Sequence, residues 1–159
     1  MSTSVRARAE QRLIDLAITL PAPPTPFGAY AEAVQSGSLL FLSGMLPIDG
    51  RAAAFVGRVG AELDAATAAQ AARLAALNAL AVAREYLGSL DRVIRFVRLG
   101  VSISTSGDVR DQPKVGDGAS TLLQDVFGEE KTPCRLVYGV ASLPLGTQVE
   151  LEIIFEVAG

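Results

Sequence analysis

The chain has 159 residues, 50% hydrophobic and 19% charged, with a net charge of −3; one domain is expected at that length, and an ordinary soluble domain carries roughly 25% charged residues, so the apolar surplus points to contacts between subunits. With no histidine and one cysteine, Cys134, the chain cannot assemble a Ser-His-Asp or Cys-His device, a zinc site built on His and Cys or an intrachain disulfide. The acidic balance and the lack of a dense Lys/Arg cluster argue against nucleic acid as a partner, no run of 18 uncharged apolar residues offers a membrane span, and the first residues lack the apolar core of a secretory signal, so a cytoplasmic location is expected.

In chain order, Ser4 to about Ile18 is predicted helical, with Ser2, Thr3 and Ser4 as available caps. The segment stops at Pro21-Ala22-Pro23-Pro24-Thr25-Pro26, which favours extended backbone. Residues 1–19 therefore read as an N-terminal helical extension and 20–159 as a single domain. Strands are expected near Tyr30–Gln35 and Leu39–Ser43, separated by Ser36-Gly37-Ser38, a hairpin spacing. A third, weaker strand is expected over Ala53 to Val59.

Asp64 suits the N-cap of a long helix to about Leu87, with Gly88 as its C′ residue. Ala68, Ala72, Ala75, Ala79 and Ala83 share one face, and small side chains there let the axis approach what it covers. Gln70, Arg73, Asn78, Arg84 and Glu85 are assigned to the opposite face. Val93 to Ser104 is a strand with Val93, Val97, Leu99, Val101 and Ile103 on one side. A polar loop then leads to a second helix from about Gly118 to Phe127, ended by Gly128. The order is an α+β layer, one mixed sheet with two helices on one face.

The final segments, Pro133 to Pro144 and Val149 to Val157, read as two strands joined by a short turn. If they form a hairpin, Leu136, Tyr138 and Val140 join Val149, Leu151 and Ile153 under the helices, and Arg135, Val137 and Gly139 share the other face with Glu150 and Glu152. Cys134 then faces the core. Arg135 cannot shed its proton, so it needs a carboxylate, from the protein or from a ligand. A wet surface and a ligand cleft between subunits are both open for that face.

Three stretches carry a family likeness: Gly28-Ala29-Tyr30-Ala31-Glu32-Ala33, Gly37-Ser38-Leu39-Leu40-Phe41-Leu42-Ser43-Gly44-Met45-Leu46-Pro47, and the terminal Pro-x-Arg, Leu-Pro and Val-Glu-x-Glu pattern. Through them the chain, from about residue 20 to 158, resembles the Rid/YjgF family. The resemblance implies a chorismate-mutase-like fold, assembled as a homotrimer whose uncovered sheet faces form the centre. It also implies cofactor-free, metal-free hydrolysis of reactive enamines and imines to 2-keto acid and ammonia at a cleft between subunits. Arg135 takes the position of the arginine that grips the substrate carboxylate, with Val137 beside it among the substrate-binding positions. Glu150 takes that of the acid that positions or activates water, and Tyr30 that of a cleft-lining tyrosine. Ala29, Ala31, Glu32, Leu136 and Gly139 depart from the usual pattern, which marks a divergent branch. The alternative is a trimeric protein that binds a small carboxylate without chemistry.

Overall fold

Helix α1 (Ala9–Asp15) is the first element of the computed structural model, which describes residues 8–159. The earlier part of the expected N-terminal helix, with its serine and threonine caps, lies outside the described residues. Ala9 and Leu13 are buried in the same core as the sheet. Glu10 ties the helix down: its carboxylate accepts from the Arg84 guanidinium and from the Leu90 N–H at 2.8 Å. Burial by itself would raise the Glu10 pKa, but those two hydrogen bonds and the Arg84 charge together outweigh it, and the group titrates below its ordinary value.

Strands β1 (Ala33–Ser36) and β2 (Leu39–Leu42) form the expected hairpin, turning at Gly37 with φ +61°. The expected strand over 53–59 is replaced by a two-residue ladder of β3 (Ile48–Asp49) with β4 (Ala52–Ala53). Helix α2 (Ala65–Leu87) has the predicted bounds: Asp64 accepts from the Thr67 N–H at 2.8 Å, and Gly88 closes it at φ +82°. Its five stripe alanines are all fully buried. Asn78 does not lie on a solvated face. It is buried, and its Nδ2 donates to the carbonyls of Leu46 and Ile48, both at 3.0 Å. A buried amide needs such partners, and here it fastens the loop after β2 to the helix.

Strand β5 (Val93–Ser104) matches the prediction in length but not in phase. Register shifts against its neighbour fall between Val93 and Arg95 and between Phe96 and Arg98. Each extra residue moves the following side chains to the other face, so Phe96 is buried and Val97 exposed. Phe96 then packs edge-on against Phe127, ring centroids 4.7 Å apart.

Helix α3 (Gln112–Phe127) starts six residues before the predicted Gly118. The glycines that looked like loop residues mark close approach instead. A Cβ on Gly118 would stand 2.0 Å from the Ala69 carbonyl oxygen of α2. With the two helices that close, α2 and α3 cover one face of the sheet.

Strands β6 (Cys134–Val140) and β7 (Val149–Val157) complete a five-stranded mixed sheet in the order β1-β2-β7-β5-β6. β6 and β7 do not pair. β5 lies between them, parallel to β6 and antiparallel to β7, so the expected terminal hairpin is corrected to a crossover around a central strand. Alternation does group the residues of β6 as predicted, but the faces are exchanged. Leu99 pairs with Arg135 and Val101 with Val137, which puts Arg135 and Val137 on the helix side. Leu136 and Tyr138 are exposed on the uncovered face, and so is Cys134. The helix side offers the polar groups that make this exchange tolerable: Arg135 meets α3, and Gly139 abuts Thr105 and Gln112. No helix among the described residues is long and apolar enough to cross a membrane.

Candidate functional site

Glu150 is on the uncovered face of β7, level with Ser102 of β5. Its carboxylate reaches over Gly44, where a Cβ would stand 2.1 Å from Oε1; only glycine leaves room for it there. The side chain is half-buried, and among the described residues no hydrogen bond or ion pair reaches its carboxylate. Burial of the charged form therefore pushes its pKa up. A carboxyl group poised in this way in a cleft is a candidate for proton transfer.

The cleft around it has a volume of about 420 Å³ and is walled by Phe27, Tyr30, Leu46, Pro144 and Leu145. The wall at 27–30 is built rigidly. The Tyr30 hydroxyl accepts from the Phe27 N–H at 2.9 Å, and the Arg51 guanidinium sits 4.5 Å above the Phe27 ring. The structure thus brings Tyr30 and Glu150 together in one cleft.

Arg135 and Val137 are not in that cleft. They lie on the opposite face of the sheet, on its edge strand. There Arg135 Nη1 donates to Asp117 Oδ1 at 2.7 Å and to Ser120 Oγ at 3.1 Å. The carboxylate that the arginine required is thus supplied by the protein itself. Its Nε and Nη2 have no partner among the described residues, which leaves a guanidinium edge for bidentate contact with a carboxylate. Gly116 makes the space: a Cβ there would come within 3.2 Å of Arg135 Nη1. Neither Asp117 nor Ser120 was singled out in the sequence. Their i,i+3 spacing would have placed them on one helix face, had the helix been read as starting before Gly118.

On the uncovered face next to Glu150, Arg98 donates to Glu152 at 2.9 Å and the Ser102 hydroxyl donates to the Tyr138 hydroxyl at 3.0 Å. Phe41, Leu136 and Tyr138 are exposed around these groups. Among the described residues no cluster of His, Cys, Asp and Glu has the makings of a metal site.

A mixed sheet backed by two helices, with a solitary carboxylate in an apolar cleft, defines a small α+β protein with a pocket suited to acid–base chemistry on an organic molecule. The chain matches, over residues 10–157, the family described as "YjgF/chorismate mutase-like, putative endoribonuclease", and it belongs to that family. It is 38% identical over 157 residues to protein TCP17 of Trypanosoma cruzi, covering 98% of each chain. It is 29% identical over 140 residues to a 2-iminobutanoate/2-iminopropanoate deaminase of Dermatophagoides farinae, covering 86% of this chain and 92% of that one. Among solved structures, a putative endoribonuclease of Shewanella oneidensis superposes with a TM-score of 0.90 at 29% identity, over 95% of this chain and all of the other. An Agrobacterium tumefaciens protein of unknown function superposes with a TM-score of 0.86 at 36% identity, over 94% and 92% of the two chains.

Proposed function

We propose that the protein hydrolyses reactive imines derived from amino acids, at a site shared between copies of the chain in a homotrimer. The observation that carries the reading is Glu150, a half-buried carboxylate without a partner beside Tyr30. The deaminase name of one relative gives it a reaction class. Water adds to the imine carbon as Glu150 takes its proton; the nitrogen is then protonated and leaves as ammonia while C=O replaces C=N. One water is consumed and nothing is oxidised or reduced. An enamine enters the same route after protonation at its β carbon.

The substrate's carboxylate needs a cation, and among the described residues none lines the cleft that Glu150 shares with Tyr30; Arg98, which lines the neighbouring cavity with Glu150, is paired with Glu152. Arg135 fills that need only from another copy, because within one chain it lies across the sheet from Glu150. Its edge-strand position and free Nε/Nη2 edge suit that role, with Val137 beside it. The uncovered face, with Phe41, Leu136 and Tyr138 exposed, supplies apolar area for the contact.

A second reading, binding of a small carboxylate without chemistry, is favoured by one observation. The Tyr30 hydroxyl accepts from the Phe27 N–H and the Ser43 hydroxyl donates to the Ala31 carbonyl, so among the described residues lining the cleft Glu150 is the only side chain whose polar group is wholly uncommitted.

The test is a coupled assay. An amino-acid oxidase generates imino acids from a panel of amino acids, and a nucleophilic trap reports how much imine survives. Acceleration of imine loss is expected, with Glu150→Gln lowering kcat by about 10²–10⁴-fold, the usual scale of general acid–base catalysis. Arg135→Ala is expected to raise KM. No acceleration on any member of the panel refutes hydrolysis, and a 16.6 kDa species in sedimentation refutes the shared site.

A further inference from the structure

Apart from Glu150 itself, the Tyr30 hydroxyl and Ser43, whose hydroxyl donates to the Ala31 carbonyl at 2.6 Å, the side chains lining the Glu150 cleft are apolar, and one of its walls is held in a backbone conformation that leucine rarely adopts. Leu145 has φ +60° and ψ +13°, in the left-handed region that favours glycine or asparagine. The turn that carries it is not loose. The Gly146 N–H donates to the Leu143 carbonyl at 3.2 Å, the Gly57 N–H donates to the Gly146 carbonyl at 3.0 Å, and Thr147 is fully buried with its hydroxyl donating to the Pro144 carbonyl at 2.9 Å. Yet the leucine side chain stays 48% exposed, over the cleft. Burial in the chain's own core therefore does not account for a strained leucine at this turn. Strain held by a pinned turn at a cleft points to a functional contact.

The opposite wall repeats the chemistry. Phe27 is pinned by the Tyr30 hydroxyl and by Arg51, and its ring is 39% exposed beside a 46% exposed Tyr30. Leu46, between the two walls, is held through its own carbonyl by Asn78. The three surfaces leave about 420 Å³ around a lone carboxylate. A methyl side chain would leave most of that volume wet, whereas a branched aliphatic or aromatic one would cover the exposed faces of Phe27, Tyr30 and Leu145.

We propose that this cleft selects imino acids with a large apolar side chain, and that Leu145 is the residue that sets the preference. The inference rests on the Glu150 cleft being the substrate site of the reading above, and it names the substrate class.

Two readouts test it separately from that reading. In the trapping assay, kcat/KM for the imine of leucine is expected to exceed that for the imine of alanine by at least about tenfold, the scale at which apolar pockets discriminate added methylenes. In calorimetry, 4-methyl-2-oxopentanoate is expected to bind more tightly than pyruvate. Leu145→Gly and Leu145→Asn both accept the left-handed backbone, so folded protein is expected, checked by circular dichroism. Both variants should bring the two ratios toward one. Hydrolysis of both imines at equal kcat/KM overturns the size preference and leaves the proposed reaction standing. A size preference in binding without any hydrolysis supports the preference and refutes the reaction. Ratios unchanged in both folded variants, or no binding of either keto acid, overturn the role of Leu145.

Discussion

Replacing Gly118 by alanine sets two effects of known size against each other. In the interior of an exposed helix, alanine is favoured over glycine by about 1 kcal/mol. At Gly118 the added Cβ would stand 2.0 Å from the Ala69 carbonyl oxygen, 2.7 Å from its carbon and 2.9 Å from its Cα, all backbone atoms. No rotamer change relieves that contact, so α3 must draw away from α2. Overpacking of this kind costs about 1–3 kcal/mol and at times more, and even a sub-ångström gap forfeits about a quarter to a half of the dispersion wells it opens. The loss should dominate, with a net destabilisation of about 2 kcal/mol. For a chain of this size that lowers Tm by about 4–8 °C. Thermal denaturation followed by circular dichroism measures the shift, and urea titration should show a lower midpoint at unchanged slope. Gly116→Ala provides the contrast. Its Cβ would meet only side-chain atoms, Arg135 Nη1 and Val137 Cγ2, each at 3.2 Å, so it should cost less stability and displace the arginine more. A Gly118→Ala protein that melts at or above the parent temperature would refute the close α2–α3 approach.

Two further outcomes follow from buried polar groups. Asn78→Ala removes the buried amide that donates to the Leu46 and Ile48 carbonyls, the Leu46 carbonyl keeping only the Ile48 N–H at 2.9 Å; a loss of about 1–3 kcal/mol is expected in urea denaturation, with weaker ligand binding because Leu46 walls the cleft. Glu150 has a raised pKa in the fold, so the native state keeps its proton to higher pH than the unfolded chain. Its effect on stability is absent below the ordinary glutamate value of about 4.3 and grows unfavourable as pH rises from there through the raised value. Glu150→Gln should therefore be more stable than the parent at neutral pH and equal to it in acid; equal midpoints across the whole range would show that the carboxylate is not desolvated.

What the sequence makes legible here is what local chemistry decides. Asp64 and Gly88 bound α2 because a capping side chain and a left-handed residue are both short-range devices. The alternation of β7 places Val149, Leu151, Ile153, Phe155 and Val157 in the core because one face of that strand is apolar without interruption. What local chemistry leaves undecided is who pairs with whom. β6 and β7 are separated by a turn of hairpin length, yet β6 takes β5 as a parallel neighbour, and that choice exchanges the faces of Arg135 and Leu136. The two irregularities in β5 shift its phase, and no single residue in Val93–Phe96 announces them. The sequence leaves Gly116 in a polar loop and starts the helix only at Gly118, because the benefit of lacking a side chain appears only when a second helix and the Arg135 guanidinium press against these positions. The sequence groups Tyr30, Glu150 and Arg135 in one candidate site; within one chain Tyr30 and Glu150 meet, and Arg135 lies on the other side of the sheet for the same reason.

The placement of β7 between β2 and β5 has a consequence for how the molecule comes into being. Of the five strands it is the one the ribosome makes last, and among the described strands it alone hydrogen-bonds to both the β1–β2 pair and the β5–β6 pair. Without it the β1–β2 and β5–β6 pairs would each present an unpaired edge, a template for a stray strand. Closure also demands contacts between residues more than a hundred positions apart, such as Leu40 with Phe155, a slow event by topology alone. Glu150 sits on that same closing strand, so the cleft does not exist until the sheet is sealed.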